Sequence, residues 1–318
     1  MSVHPTPEDI DDALARLTPY VRHTPVLFTE LGGVRVALKL EQLQIGGSFK
    51  VRGALNRLLM AAPSELDRGV VTASGGNHGI GVALAAKRLG HAATVYIPDG
   101  APAATARRIE ATGARCVRQG ASFDDAWQAA TEHAAAYGGL VVHAFDDPRV
   151  VAGQATCALE LLSDASDIDG FIVAIGGGGL AAGTALAVAA HRPNLQIVGV
   201  EPTGAASMKA SLDAGHVVGL DHVTTIAGTL APRRVSQLTY EVCAAHLREL
   251  VLVTDDEMRA AMRLLWDDLR VVVEPAGAAA VAALVSGRMR TSLQAPAIIL
   301  CGANPEDAEV RRLFGGST

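Results

Sequence analysis

The middle of the chain alternates short β-branched runs with helix-length segments, and that alternation restricts the fold more than any other feature. Residues 70–73, 93–97 and 115–118 read as strands; helical stretches follow to about residue 89, over 105–112 and over 123–137. Strands and helices taken in turn predict a parallel sheet covered by helices on both faces. The rhythm breaks at Asp146-Asp147-Pro148 and then resumes. A long helix to about residue 162 leads to the apolar strand 171–175, four glycines, a helix to about 190, and strand 196–201. Residues 203–234 read as an irregular, Gly-rich excursion. Helices over 236–247, 254–269 and 275–286 lead to strand 297–300 and a closing helix.

The first 60 residues do not follow the middle unit. They read as a helix over 7–20 opened by Thr6, strands 26–30 and 34–41, and a helix from Lys50 to about residue 62. The expectation is therefore two lobes. Residues 1–68 and 147–318 form a discontinuous large lobe, 69–146 form a small inserted one, and a ligand cleft lies between them.

Composition narrows the class. Of the 318 residues 49% are hydrophobic but only 4% aromatic, as expected for alanine-rich helices packed on valine and isoleucine strands. A net charge of −6 without a basic run argues against nucleic acid. The four cysteines (Cys116, Cys157, Cys243, Cys301) form no metal-binding pair and suit a reducing compartment. The first ten residues are neither basic nor apolar, unlike a secretory signal. The most apolar helix, near residues 271–285, is interrupted by Glu274 and Pro275 and is too short for a bilayer. A cytoplasmic protein without membrane partners is expected.

Several motifs fall at strand ends. In Ile45-Gly46-Gly47-Ser48-Phe49-Lys50, two glycines permit a sharp turn, Ser48 can cap a helix, and Lys50 sits in its first turn. A helix N-terminus lowers an amine's pKa, which suits Lys50 to nucleophilic or proton-transfer chemistry; a solvated helix-start lysine is the plainer reading. Gly176-Gly177-Gly178-Gly179 between a strand and a helix is suited to an anion, since its free amides add to the helix dipole. It is not Gly-x-x-x-x-Gly-Lys, so no nucleoside triphosphate is implied. Ser74-Gly75-Gly76-Asn77-His78 is a second such turn, suited to a carboxylate or ring substituent, or simply a cap by Ser74 or Asn77. His78 reads as a packing residue rather than a base. Glu274 either caps the helix from Pro275 or faces the cleft, and Cys301 ends the last strand. All five features converge on the carboxyl edges of the sheets.

Ser48-Phe49-Lys50-Val51-Arg52-Gly53-Ala54, Ser74-Gly75-Gly76-Asn77-His78-Gly79, Phe145-Asp146-Asp147-Pro148, Ala152-Gly153-Gln154, the four glycines and Glu274-Pro275-Ala276-Gly277 run through almost the whole chain. Together this set resembles the serine/threonine dehydratase family, pyridoxal-phosphate enzymes of fold type II related to serine racemase. The resemblance implies two α/β lobes, each with a mainly parallel sheet, and the cofactor in the cleft between them. It implies Lys50 as the Schiff-base lysine and acid/base, Phe49 packed on the cofactor ring, and Asn77 on its phenolic oxygen. Gly176, Gly177, Gly178 and Gly179 would hold the phosphate, Cys301 would face the ring nitrogen, and Glu274 joins the cofactor site. Ser74, Gly75, Gly76, Asn77 and His78 would bind the substrate carboxylate. A thiol need not protonate the ring nitrogen, which favours prompt loss of a β-leaving group. The implied activity is dehydration of L-threonine or L-serine to a 2-oxo acid and ammonia, by a homodimer. Racemisation, β-replacement and a non-catalytic pyridoxal-phosphate carrier are the alternatives.

Four positions depart from the family pattern. Gly46 replaces a threonine, and Gly75 stands where racemases carry a second catalytic serine. Ser207 stands where metal-dependent relatives place an acidic ligand, and residues 225–229 (Thr-Ile-Ala-Gly-Thr) lack an expected Asp-Gly. No metal is expected. Which β-hydroxy amino acid is used stays open.

Overall fold

A computed structural model describes residues 4–305. Its strands are β1 (Val26–Leu31), β2 (Val34–Lys39), β3 (Val70–Ala73), β4 (Ala93–Ile97), β5 (Arg115–Arg118), β6 (Leu140–Val141), β7 (Gly170–Ala174), β8 (Gln196–Pro202), β9 (Glu249–Val253) and β10 (Pro296–Ile299). They form two sheets, one of six strands in the order β1-β2-β10-β7-β8-β9 and one of four in the order β5-β4-β3-β6. Every pairing is parallel except the β1–β2 hairpin. The fold is α/β with two lobes built on mainly parallel sheets, as the alternation implies.

β2 pairs with β10, Ala37 opposite Ala297, so the start and end of the chain share the larger sheet. The central strands β7 and β10 are buried along their whole length. That explains why they read as continuous apolar runs rather than alternating ones. Helix Pro275–Val285 shows why aromatic residues are scarce. Pro275 through Ala283 are all buried, and small side chains let the helix lie close on β7 and β8.

Helix Lys50–Leu59 does not belong to one sheet alone. It packs against helix Pro148–Asp164 of the larger assembly and against helix Asn77–Leu89 of the smaller one. Its Val51, Ala54, Leu55 and Leu58 share a core cluster with Val70, Val82 and Leu140. Gly53 and Gly153 let it approach helix Pro148–Asp164 closely, because a Cβ at Gly153 would lie 2.6 Å from the Cα of Gly53. Lys50 is thereby placed where the two assemblies meet.

Three expectations need correction. The segment 203–234 contains a helix, Ser207–Ala214, whose entering amides are taken by a buried carboxylate. Between the helices expected over 236–247 and 254–269 lies a strand that the sequence reading omits, β9 (Glu249–Val253), which forms the sheet edge beside β8. The helix expected over 105–112 starts earlier, at Ala103–Glu110, because Pro102 sets its entry. The two-residue strand β6 gave no period to read. The expected closing helix lies outside the described residues.

Candidate active site

The turn before Lys50 is made by glycine. Gly46 (φ 81°) and Gly47 (φ 77°) adopt the left-handed region and reverse the chain just before the helix. Ser48 does not cap that helix. It is extended (φ −163°) and bridges Gly302, while Phe49 occupies the N-cap position without a side-chain bond. The bridge and the bond from the Phe49 amide to the Cys301 carbonyl (3.2 Å) fasten the Lys50 turn to the end of β10. Ser48 is drawn into that join and is unavailable for capping.

Phe49, Lys50, Asn77, Gly176, Gly177, Gly178, Gly179, Glu274 and Cys301 line one pocket. Thr229 and Leu230, which the sequence did not single out, line it too. Thr229 comes from the segment that lacks the expected Asp-Gly, and no pattern in the chain distinguishes it.

The Lys50 ammonium donates to the carbonyl of Ala144 (3.2 Å) and lies 5.2 Å from the centroid of the Phe49 ring. Burial brings its pKa from 10.5 to about 8, against the opposing pull of Cys301 and Glu274. Burial is the largest cause of the shift that prepares this amine. Burial also raises the Cys301 thiol well above its usual range, so it stays protonated.

The glycine run follows β7 and opens helix Gly179–His191, with Gly178 at φ 90° as its N-cap. The amides of Gly177, Gly178, Gly179 and Leu180 have no acceptor among the described residues. Side chains are excluded on the protein side. A Cβ on Gly177 would collide with the Phe145 ring, and one on Gly178 would lie 2.7 Å from Thr239. The Thr239 hydroxyl fixes the loop by donating to the Gly177 carbonyl (2.8 Å). Unsatisfied amides at a helix start, in a space only glycine fits, match a phosphate group. With one low-pKa lysine, they fit pyridoxal phosphate.

Asn77 is held by side chains. Its Nδ2 donates to Glu274 Oε1 (2.6 Å), and its Oδ1 accepts from Asn304 Nδ2 (2.6 Å). Neither Ser74 nor Asn77 caps the helix, because Gly76 is the N-cap without a side-chain bond. Ser74 Oγ accepts instead from the Gly76 amide (3.2 Å). Glu274 is the N-cap of helix Pro275–Val285 by position, yet makes no capping bond. Its carboxylate accepts from Asn77, from Thr229 Oγ1 (3.2 Å) and from the Asn304 amide (3.1 Å). Burial raises its pKa, although those three donors pull it back.

Four of the expected substrate residues do not line the pocket. Ser74, Gly75 and Gly76 flank it beside Asn77, and His78 is buried behind it. His78 Nε2 bonds the Val142 carbonyl (3.1 Å), and burial lowers its pKa to about 3, so it is a neutral packing residue.

Residues 14–302 match the family model described as pyridoxal-phosphate dependent enzyme. The chain belongs to the pyridoxal-phosphate-dependent enzyme family. It is 36% identical over 313 residues to the L-threonine ammonia-lyase of Thermotoga maritima, covering 97% of this chain and 78% of that one. It is 40% identical over 309 residues to the phenylserine dehydratase of Ralstonia pickettii, covering 95% and 94%. Maize serine racemase superposes with a TM-score of 0.93 at 33% identity, covering 98% and 97%. This enzyme therefore uses pyridoxal phosphate in a fold type II framework. Among the described residues, no three His, Cys, Asp or Glu side chains are grouped to hold a metal, and no helix is long and apolar enough to cross a membrane. Ser207 is fully buried, and the neighbouring Glu201 carboxylate accepts from the Met208 and Lys209 amides (2.8 Å each).

Proposed function

We propose that this enzyme is an ammonia-lyase that dehydrates a β-hydroxy amino acid, L-threonine or L-serine, to a 2-oxo acid and ammonium. The observation that carries the reading is one pocket into which both the low-pKa amine of Lys50 and the free amides of the glycine run open. Relatives named for threonine and phenylserine dehydration support it.

Pyridoxal phosphate, when bound, supplies an electron sink for the substrate's Cα. The chain's own residues do the rest. Lys50 would hold the cofactor covalently and move the Cα proton. The amides of Gly176 to Gly179 would hold the phosphate, and Phe49 would pack on the ring. Asn77 would bond the phenolic oxygen, and Cys301, its thiol kept neutral by burial, would face the ring nitrogen without giving up its proton. The backbone of Ser74 to His78, on the turn that flanks the pocket beside Asn77, would receive the substrate carboxylate. Residues 69–146 act as a lobe that closes on the substrate and excludes water. Scattering with and without a substrate analogue would reveal that shift; superimposable profiles would reject it.

Racemisation is the competing reading, favoured by the likeness to serine racemase. It requires a second acid/base on the face opposite Lys50. Gly75 has no side chain, and an added Cβ there would lie 2.8 Å from the Ala101 Cβ and 3.4 Å from the Pro98 Cδ. A group at that position would face the 98–101 turn. Incubation with L-serine should therefore release pyruvate with little D-serine, as followed by chiral separation. D-serine formed as fast as pyruvate would replace the dehydratase reading with a racemase one.

A further inference from the structure

Asn304 lies beyond β10 and is bonded to four groups at the mouth of the cleft. Its Nδ2 donates to the Gly46 carbonyl (2.9 Å) and to Asn77 Oδ1 (2.6 Å), and its backbone amide donates to Glu274 Oε2 (3.1 Å). Its Oδ1 accepts from Arg108, an exposed residue on helix Ala103–Glu110, which also donates to the Gly46 carbonyl (3.2 Å). These bonds have a fixed direction. A guanidinium has only donors, so Arg108 requires the oxygen of the Asn304 amide to face it. The nitrogen of Asn304 must then face Gly46 and Asn77, so Asn77 presents its oxygen to Asn304 and its nitrogen to Glu274. An amide nitrogen has two hydrogens, and only one is taken by Glu274.

We propose that Asn304, oriented by Arg108, is the positioning residue that fixes the polarity of the Asn77 amide. It keeps an N–H donor available at the cofactor's phenolic oxygen. Helix Ala103–Glu110 belongs to the smaller sheet's assembly, whereas Gly46, Glu274 and Asn304 belong to the larger one. Within the larger assembly the Gly46 carbonyl favours the same Asn304 orientation, and Arg108 reinforces it from the smaller one; Asn77, on the smaller assembly, receives that polarity where the two meet. This rests on Asn77 being a cofactor contact, as proposed above.

Asn304→Asp separates positioning from mere attachment. An aspartate retains size and pairs better with Arg108, but it cannot donate to Asn77. The measurements are cofactor affinity, from titration of apo-protein with pyridoxal phosphate, and the cofactor's absorption bands, beside thermal melting. We expect Asn304→Asp to weaken affinity about tenfold, the equivalent of roughly one hydrogen bond, and to change the band ratio. Arg108→Met should shift both the same way by less, and it serves alone should the aspartate variant not fold. Asn77→Ala is the reference. If it alters the bands and neither other variant does, the positioning role is wrong. If Asn77→Ala itself changes nothing, Asn77 is not a cofactor contact and the proposal fails with that reading.

Discussion

Lys50 and Arg52 are two residues apart on one helix, Lys50 half-buried in the cleft and Arg52 fully buried, and their surroundings make them opposite kinds of cation. Arg52 is fully buried and saturated. Its guanidinium donates to both oxygens of Glu41 (2.8 and 2.7 Å) and of Glu160 (2.7 and 2.8 Å), and to Thr156. Lys39 adds a further ion pair to Glu160 (2.7 Å). Burial alone would lower the Arg52 pKa, but Glu41 and its hydrogen bonds drive it well above the usual value. Burial alone would likewise raise Glu41, yet Arg52 holds that carboxyl below its ordinary range. Lys50 receives one carbonyl and no carboxylate bond, so burial prevails and the amine falls to about 8. The lesson is that burial does not decide whether a cation is structural or reactive; the number of partners inside does.

The sharpest way to break this comparison is Lys50→Ala. Activity, read as 2-oxo acid release, should fall by about 10⁴-fold or more, the upper range for losing an acid/base group. Borohydride should then fix no cofactor to the peptide that contains residue 50. Thermal melting of the apo-protein should move the other way and show a small gain at pH 7. A base whose folded pKa is lowered opposes folding fully below about 8, and the penalty shrinks as pH rises toward its unfolded value near 10.5. The gain of the variant over wild type should therefore shrink across that window. Retained label on the variant would mean that Lys39, Lys87 or Lys209 is the attachment point.

Next in size is Arg52→Met, which should destabilise by about 3–5 kcal/mol, because Glu41 and Glu160 are left as buried, uncompensated charges. Urea unfolding measures it. A variant as stable as wild type would show that the carboxylates escape to water or take up protons, and that Arg52 is dispensable to the framework.

The two cations were unequally legible in the sequence. Lys50 stood out because glycines and a strand end announce a turn, and the fold could be read because strands and helices alternate over most of the chain. Arg52 was noticed only as part of a family pattern, since its partners lie 11 and 108 residues away and no local spacing joins them. Thr229 and Asn304 escaped as site residues for the same reason. Glu274 stays open in the sequence because a carboxylate before proline fits both a cap and a cleft residue, and only its distant partners Asn77 and Asn304 show where its side chain goes. A helix start points to a lowered amine pKa in the sequence, but burial, the largest cause in the structure, is a property of the assembled cleft and has no local signal.

A smaller effect tests Lys50 from inside its pocket. In the apo-protein, labelling of Lys50 by an amine reagent should rise with pH through a midpoint near 8 and level off well above it, because only the neutral amine reacts. A midpoint near the ordinary lysine value would place Lys50 in water. Glu274→Gln then asks which neighbour opposes burial. Cys301 and Glu274 both pull the Lys50 pKa upward, Cys301 the more strongly if charged. Yet burial keeps the Cys301 thiol protonated through the pH range where Lys50 titrates, so the negative charge that counts there is the carboxylate of Glu274. Its removal should lower the labelling midpoint below that of wild type, whereas Cys301→Ser, which exchanges one neutral group for another, should leave it in place. The reverse order would mean that Cys301 is ionised in the cleft, and that the ring nitrogen of a bound cofactor faces a thiolate rather than a thiol.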